Sequence, residues 1–152
     1  MIKLQTSKSY IKEIRITYSD RNESLFVCIE NAGRSKMAEA FGRSLGIDAI
    51  SAGTVPAEKV NPVVVEAMKE NGIELSESTP RNLDEKMIEE AGRIILMGCS
   101  IESVCPVVLL RKMKKKSEDW NIEDPKGKSI QKVREIRDEI LRKVKMLKKE
   151  MD

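Results

Sequence analysis

Ser24-Leu25-Phe26-Val27-Cys28-Ile29-Glu30-Asn31-Ala32-Gly33-Arg34-Ser35-Lys36-Met37-Ala38-Glu39-Ala40-Phe41 opens on an apolar run and closes on a helical repeat. Leu25 to Cys28 has the length of a buried strand, and Met37, Ala38, Phe41 and Leu45 fall at helical spacing. A strand, a tight loop and a helix in that order aim backbone N–H groups and the positive helix end at one point. An oxyanion is expected there, cradled by the Ile29, Glu30, Asn31, Ala32, Gly33 and Arg34 loop. The planar guanidinium of Arg34 can grip two of its oxygens. Cys28 lies at the loop entrance beneath the same anion, where such donors stabilise a thiolate nucleophile. The hydroxyl of Ser35 is near enough in sequence to donate to the sulfur.

Beyond this stretch, strands and helices alternate. Ile47-Asp48-Ala49-Ile50 reads as a second strand with Ser51-Ala52-Gly53 as a turn. Asn61-Pro62 reads as a helix start, cap followed by proline at the first helical position, and Asn71-Gly72 as its end. A further helix is expected to begin within Thr79–Asp84, carrying Leu83, Met87, Ile88 and Ala91. Arg93–Met97 is a continuous apolar strand delivering Gly98-Cys99 to its C-terminal end. Ser100 to Pro106 reads as a loop or short helix, followed by the apolar run Val107–Leu110. Ser117–Ile122 fits a last strand, leading into Glu123-Asp124-Pro125. Ile130, Val133, Ile136, Ile140, Val144 and Leu147 stripe a final helix from Ser129 to Lys149.

That alternation predicts an α/β fold: a single-domain open parallel sheet of about four strands with helices on both faces. Ligands of such sheets bind at the C-terminal strand ends. Cys28, Ser51, Cys99 and Asp124 all fall at expected strand ends and are candidates for one crevice.

Composition narrows the function. The chain has 152 residues and only 3% aromatics, so an aliphatic core is expected. Charged residues make up 35% with mixed sign and a net charge of +3, too small and dispersed to argue for nucleic acid. The Lys112–Lys116 run reads as a solvated loop. No apolar stretch approaches a membrane span and no secretory signal is visible. Three cysteines, an odd number, do not make a structural disulfide framework and fit a cytoplasmic protein with free or redox-active thiols. With no histidine, Ser-His-Asp and Cys-His catalysis and His-containing zinc motifs are excluded. A three-cysteine zinc site would need a fourth ligand from a carboxylate or water; no metal or cofactor is called for. Nothing demands more than a monomer.

Cys28-x-x-Asn31-x-x-Arg34-Ser35 resembles the signature loop of the low-molecular-weight protein tyrosine phosphatases and of their relatives, the thioredoxin-coupled arsenate reductases. The likeness covers nearly all of residues 25–147. It includes Ser51-Ala52-Gly53, Asn61-Pro62, Glu66-Ala67-Met68-Lys69-Glu70, Leu83-Asp84 and Val133-Arg134-Glu135-Ile136-Arg137-Asp138-Glu139-Ile140. Trp120-x3-Asp124-Pro125 resembles the family's general-acid loop, which implies that Asp124 protonates the leaving oxygen. Gly98-Cys99 and Cys105-Pro106 match the relay cysteines of the reductases. The resemblance implies that Cys28 attacks arsenate, Cys99 attacks Cys28, and Cys105 attacks Cys99, leaving a disulfide for thioredoxin or a similar dithiol. The alternative it implies is a tyrosine phosphatase working through a phosphocysteine at Cys28. A non-enzymatic oxyanion sensor or redox-regulated binding module is the third reading.

Several residues depart from the family pattern. Five residues separate Cys99 from Cys105, one fewer than in the bacterial reductases. Ala32-Gly33 replace a common Ser-Cys. Some of these reductases bind potassium through residues matching Asn31, Glu39, Ser51 and an acid; Arg81 stands at the last position, which argues against that site. Lys126 stands where tyrosine phosphatases commonly carry an aromatic. The likeness begins near Leu25, so residues 1–23 are an extension of unknown role preceding a 24–152 domain. Within it Ile14, Ile16 and Tyr18 alternate with polar residues and permit a short strand.

Overall fold

The computed structural model describes residues 22–98 and 104–152. The Ile14–Tyr18 strand expectation and the surroundings of Cys99 lie outside them. Four strands, β1 (Ser24–Cys28), β2 (Ala49–Gly53), β3 (Arg93–Leu96) and β4 (Ser117–Asp119), form one sheet in the order β2-β1-β3-β4. All three pairings are parallel. The helices are α1 (Arg34–Ser44), α2 (Pro62–Lys69), α3 (Glu85–Glu90), α4 (Val107–Lys114) and α5 (Ile130–Met151). The expected α/β architecture is what the chain adopts.

Side chains alternate across β1, and that alternation divides the core. Phe26 and Cys28 face a layer built from Met37, Ala38, Phe41, Val64, Met68 and the α5 stripe. Leu25 and Val27 face the opposite layer with Leu83, Ile88, Ile94, Cys105 and Met113. Val133, Ile136, Ile140, Val144 and Leu147 are all buried, each contributing about 1.5–3 kcal/mol of transfer free energy. α5 packs on both α1 and α2. The Ser129 hydroxyl caps it by accepting from the Lys132 N–H, and Asn61 caps α2 from Val63 with Pro62 behind it.

Several boundaries depart from the sequence expectation, and the Lys112–Lys116 run read as a solvated loop is helical through Lys114. β2 runs to Gly53, so Ser51-Ala52-Gly53 is strand and not turn, with Phe26 opposite Ser51 and Cys28 opposite Gly53. Ile47 instead closes the exit of α1: Gly46 adopts φ 85° and the Ile47 N–H returns to the Gly42 carbonyl. The helix expected within Thr79–Asp84 starts only at Glu85, because Asp84 is its cap, accepting from Met87 N–H. The residues before it are drawn alongside Gly53, which donates to the Arg81 carbonyl while Leu83 donates back. β4 ends at Asp119 and not Ile122, since Asn121 turns into the left-handed region at φ 53°. Trp120 and Ile122 still donate to the Leu96 and Met97 carbonyls, so the segment toward Asp124 stays tied to β3.

The chain runs from β1 outward to β2, then crosses back to β3 on the other side of β1. The C-terminal ends of β1 and β3 therefore border the switch point, where open parallel sheets form their binding crevice.

Candidate active site

The loop after β1 turns its backbone inside out. The carbonyls of Cys28, Ile29, Glu30 and Ala32 accept from the amides of Thr54, Val55, Ala57 and Asn61. Carbonyl and following amide point opposite ways in a planar peptide, so the loop's own N–H groups turn inward. One of them, from Asn31, donates to Cys28 Sγ at 3.2 Å. Asn31 is held at φ 51°, a conformation asparagine tolerates better than most residues. α1 begins at Arg34, so the helix head faces the same concavity and adds its partial positive charge. Gly53 makes the tight wrap possible: a Cβ there would lie 2.6 Å from the Ile29 carbonyl oxygen and 2.8 Å from the Asn31 nitrogen.

Cys28 is 5% exposed, and its sulfur lies 2.8 Å from the Ser35 hydroxyl oxygen. The Asn31 side-chain amide donates to Ser35 Oγ at 2.7 Å and to Ser51 Oγ at 3.0 Å. Its carbonyl oxygen accepts from the Arg81 N–H at 2.9 Å. With Asn31 occupying an acceptor position on Ser35, the hydroxyl hydrogen is free to turn to the sulfur. Ser51, expected at a strand end, sits inside β2 and is linked to the site through Asn31.

Arg34 is also buried. Its Nη1 donates to the Ile122 carbonyl at 3.1 Å and approaches the Met97 carbonyl at 3.5 Å. Nη2 lies 3.7 Å from the Asp124 carboxylate. Gly98 permits this, because a Cβ there would fall 2.2 Å from Nη1. The guanidinium thus spans from the helix head to the end of β3. Asp124 is half-exposed, with Oδ1 held by the Lys126 N–H at 3.0 Å. The cavity between them, about 440 Å³, is lined by Cys28, Arg34, Asp124, Lys59 and Lys126 among others, and among the described residues none that lines it is aromatic.

The loop, Cys28, Arg34, Ser35 and Asp124 come together. Cys105 does not join them: it is buried in the layer on the other face of the sheet, where burial pushes its thiol above the usual range. The cysteine at 99 lies outside the described residues. An ion pair across the pocket mouth, Lys126 Nζ to Glu30 Oε1 at 2.7 Å, links the two loops; its partners are 96 residues apart and carried no pairing signal in the sequence.

The potassium set implied by the family does not fit. Asn31 and Ser51 spend their polar groups on each other, on Ser35 and on Arg81, while Glu39 faces the ammonium of Lys36 at 3.7 Å. Among the described residues no cluster of acidic and cysteine side chains could hold a metal, and no helix is long and apolar enough to cross a membrane.

The chain is similar to known proteins over most of its length. The family model for low molecular weight phosphotyrosine protein phosphatase matches residues 23–152. A Halobacterium salinarum protein is 40% identical over 128 residues, covering 78% of this chain and 85% of its own. Arsenate reductase 2 of Staphylococcus saprophyticus is 36% identical over 129 residues, covering 83% and 95%. A solved arsenate reductase in its phosphate-binding state superposes with a TM-score of 0.75 at 28% identity, covering 86% of this chain and 99% of that one. With the loop after Cys28, the Arg34 guanidinium and the Asp124 segment at one sheet end, the chain belongs to the low molecular weight phosphotyrosine protein phosphatase family.

Proposed function

We propose that this protein is an arsenate reductase. The observation that carries the reading is the pairing of an intact nucleophile site with a pocket that has no aromatic wall among the described residues, in a chain whose three cysteines match the relay positions. Its similarity to a named reductase over most of both lengths supports the same reading.

In the first step the Cys28 thiolate attacks arsenate held by Arg34 and the loop amides. Asp124 protonates the departing oxygen, which leaves as water, and an S–As bond forms. Cys99 thiolate then attacks the Cys28 sulfur. The S–As electron pair goes to arsenic, which leaves as arsenite, and a Cys28–Cys99 disulfide remains. Cys105 attacks Cys99, freeing Cys28 as thiolate and leaving Cys99–Cys105. A dithiol reductant of the thioredoxin class supplies two electrons to reopen that bond. Cys105 has to leave its apolar layer to take part, because a buried neutral thiol is a poor nucleophile. The reducing cytoplasm is the compartment in which such a cycle is sustained.

Incubating the reduced protein with arsenate, thioredoxin, thioredoxin reductase and NADPH tests the proposal. Arsenate-dependent NADPH oxidation is expected; its absence in competent protein ends the reading. The second reading, phosphotyrosine hydrolysis, is favoured by the family's own description. Cys99→Ser separates the two: turnover of arsenate stops in a reductase, whereas hydrolysis through Cys28 alone survives.

A further inference from the structure

Lys36 is the anomaly behind the loop. It lies in the first turn of α1, directly after Ser35, and is 1% exposed. A cation there opposes the helix dipole, and a buried ammonium is costly unless paired. Its Nζ has no hydrogen-bond partner among the described residues. The nearest opposite charge is Glu39 Oε1 at 3.7 Å, one turn along the helix and itself only 6% exposed at the side chain. Glu39 Oε2 lies 3.5 Å from Arg43 Nη2. Burial pushes the Lys36 ammonium below the usual lysine range, Glu39 pulls it back, and Arg81 and Arg43 add to the push. Arg81 contributes its backbone N–H to Asn31, so Lys36 sits where α1 meets the residues that brace the nucleophile loop.

We infer that the Lys36 ammonium is a tethered cation that neutralises Glu39 inside the fold, so the protein takes up no monovalent metal ion there. A free ion would have to displace a covalently attached charge from the one carboxylate available. Asn31 and Ser51, the other oxygens of the implied set, are already committed to internal hydrogen bonds. The inference concerns the loop's support and holds whichever oxyanion the site processes.

Thermal melts of the full chain at fixed ionic strength, in KCl or in tetramethylammonium chloride, read it out. The natural protein is expected to melt at the same temperature in both salts. Lys36→Met leaves Glu39 Oε1 without its cation, with only the half-exposed Arg43 on Oε2, and is expected to lower Tm by about 5 °C or more in the bulky salt, with part of the loss restored by potassium. Glu39→Gln leaves Lys36 unpaired and is expected to lower Tm in both salts alike. The double variant Lys36→Met/Glu39→Gln is expected to lose less than the sum of the two, without ion sensitivity, because neither buried charge is then orphaned. A potassium-raised Tm in the natural protein overturns the inference, as does an ion-insensitive Lys36→Met. If Lys36→Met does not fold, the comparison of Glu39→Gln with the double variant decides: a double variant no more stable than Glu39→Gln refutes it.

Discussion

Asn31 donates to Ser35 Oγ at 2.7 Å, and the same oxygen lies 2.8 Å from the Cys28 sulfur. The Asn31 side-chain amide therefore orients the hydroxyl that faces this sulfur, while the Asn31 backbone N–H reaches the sulfur directly. Asn31→Ala removes three side-chain hydrogen bonds and places alanine at φ 51°. We expect kcat to fall by about 10²-fold, in line with loss of a buried charge-stabilising donor. Stability should drop by about 1–3 kcal/mol. Asn31→Gly relieves the backbone but not the lost bonds; if it recovers stability and not kcat in steady-state assays, the two roles are separated.

The Lys126–Glu30 pair closes part of the pocket mouth, with both side chains substantially exposed. The Glu30 hydrogen bond holds the Lys126 ammonium above the usual lysine range. Lys126→Ala should leave Tm nearly unchanged, since exposed pairs contribute about 0–1 kcal/mol. It should raise KM for an oxyanion several-fold at low salt, with the difference fading at about 0.5 M salt as screening sets in. Initial-rate measurements at two ionic strengths check this.

Glu70 ties α2 to α5 through Arg134 and Arg137, and hydrogen bonds from those guanidinium groups hold its carboxyl down at about 2, against 4.5 ordinarily. A depressed acid adds stability above its unfolded pKa and loses it as pH falls through the folded one. Tm should accordingly decline between about pH 4.5 and pH 2, and Glu70→Gln should flatten that part of the profile. A Glu70→Gln curve parallel to the natural one contradicts the assignment.

Cys105 lies under the α4 layer with its thiol pushed up by burial. In the reduced protein at neutral pH it should alkylate at least about tenfold more slowly than in the unfolded chain, because the thiolate is the reactive form. Adding arsenate should remove Cys105 from the free-thiol pool altogether. Peptide mapping after timed iodoacetamide treatment follows both.

Much of the site was legible because its chemistry is local. Cys28, Asn31, Arg34 and Ser35 lie within one turn of loop and the head of one helix, so spacing alone placed them together. Asp124 followed from its position after an extended segment and from the family likeness. What spacing could not show were contacts between distant segments. Ser51 reads as turn from its neighbours Ala52 and Gly53, yet pairing with β1 keeps it in strand. Thr79–Leu83 carries no strand signature and is drawn alongside β2 by Gly53 and by the Asn31 side chain. Cys105 falls in the opposite layer because α4 packs with α3 across the sheet from α1, a consequence of topology. The burial of Lys36 beside Glu39 likewise follows from the fold and not from spacing.

The relay itself is tested most directly by treating fully reduced protein with one equivalent of arsenate, without any other reductant, and mapping its cysteines by mass. The expected result is one arsenite released per chain, a Cys99–Cys105 disulfide and free Cys28, with no such disulfide in Cys28→Ser. Three free thiols and unreduced arsenate in the natural protein contradict the reductase assignment and leave the phosphatase chemistry of the same loop.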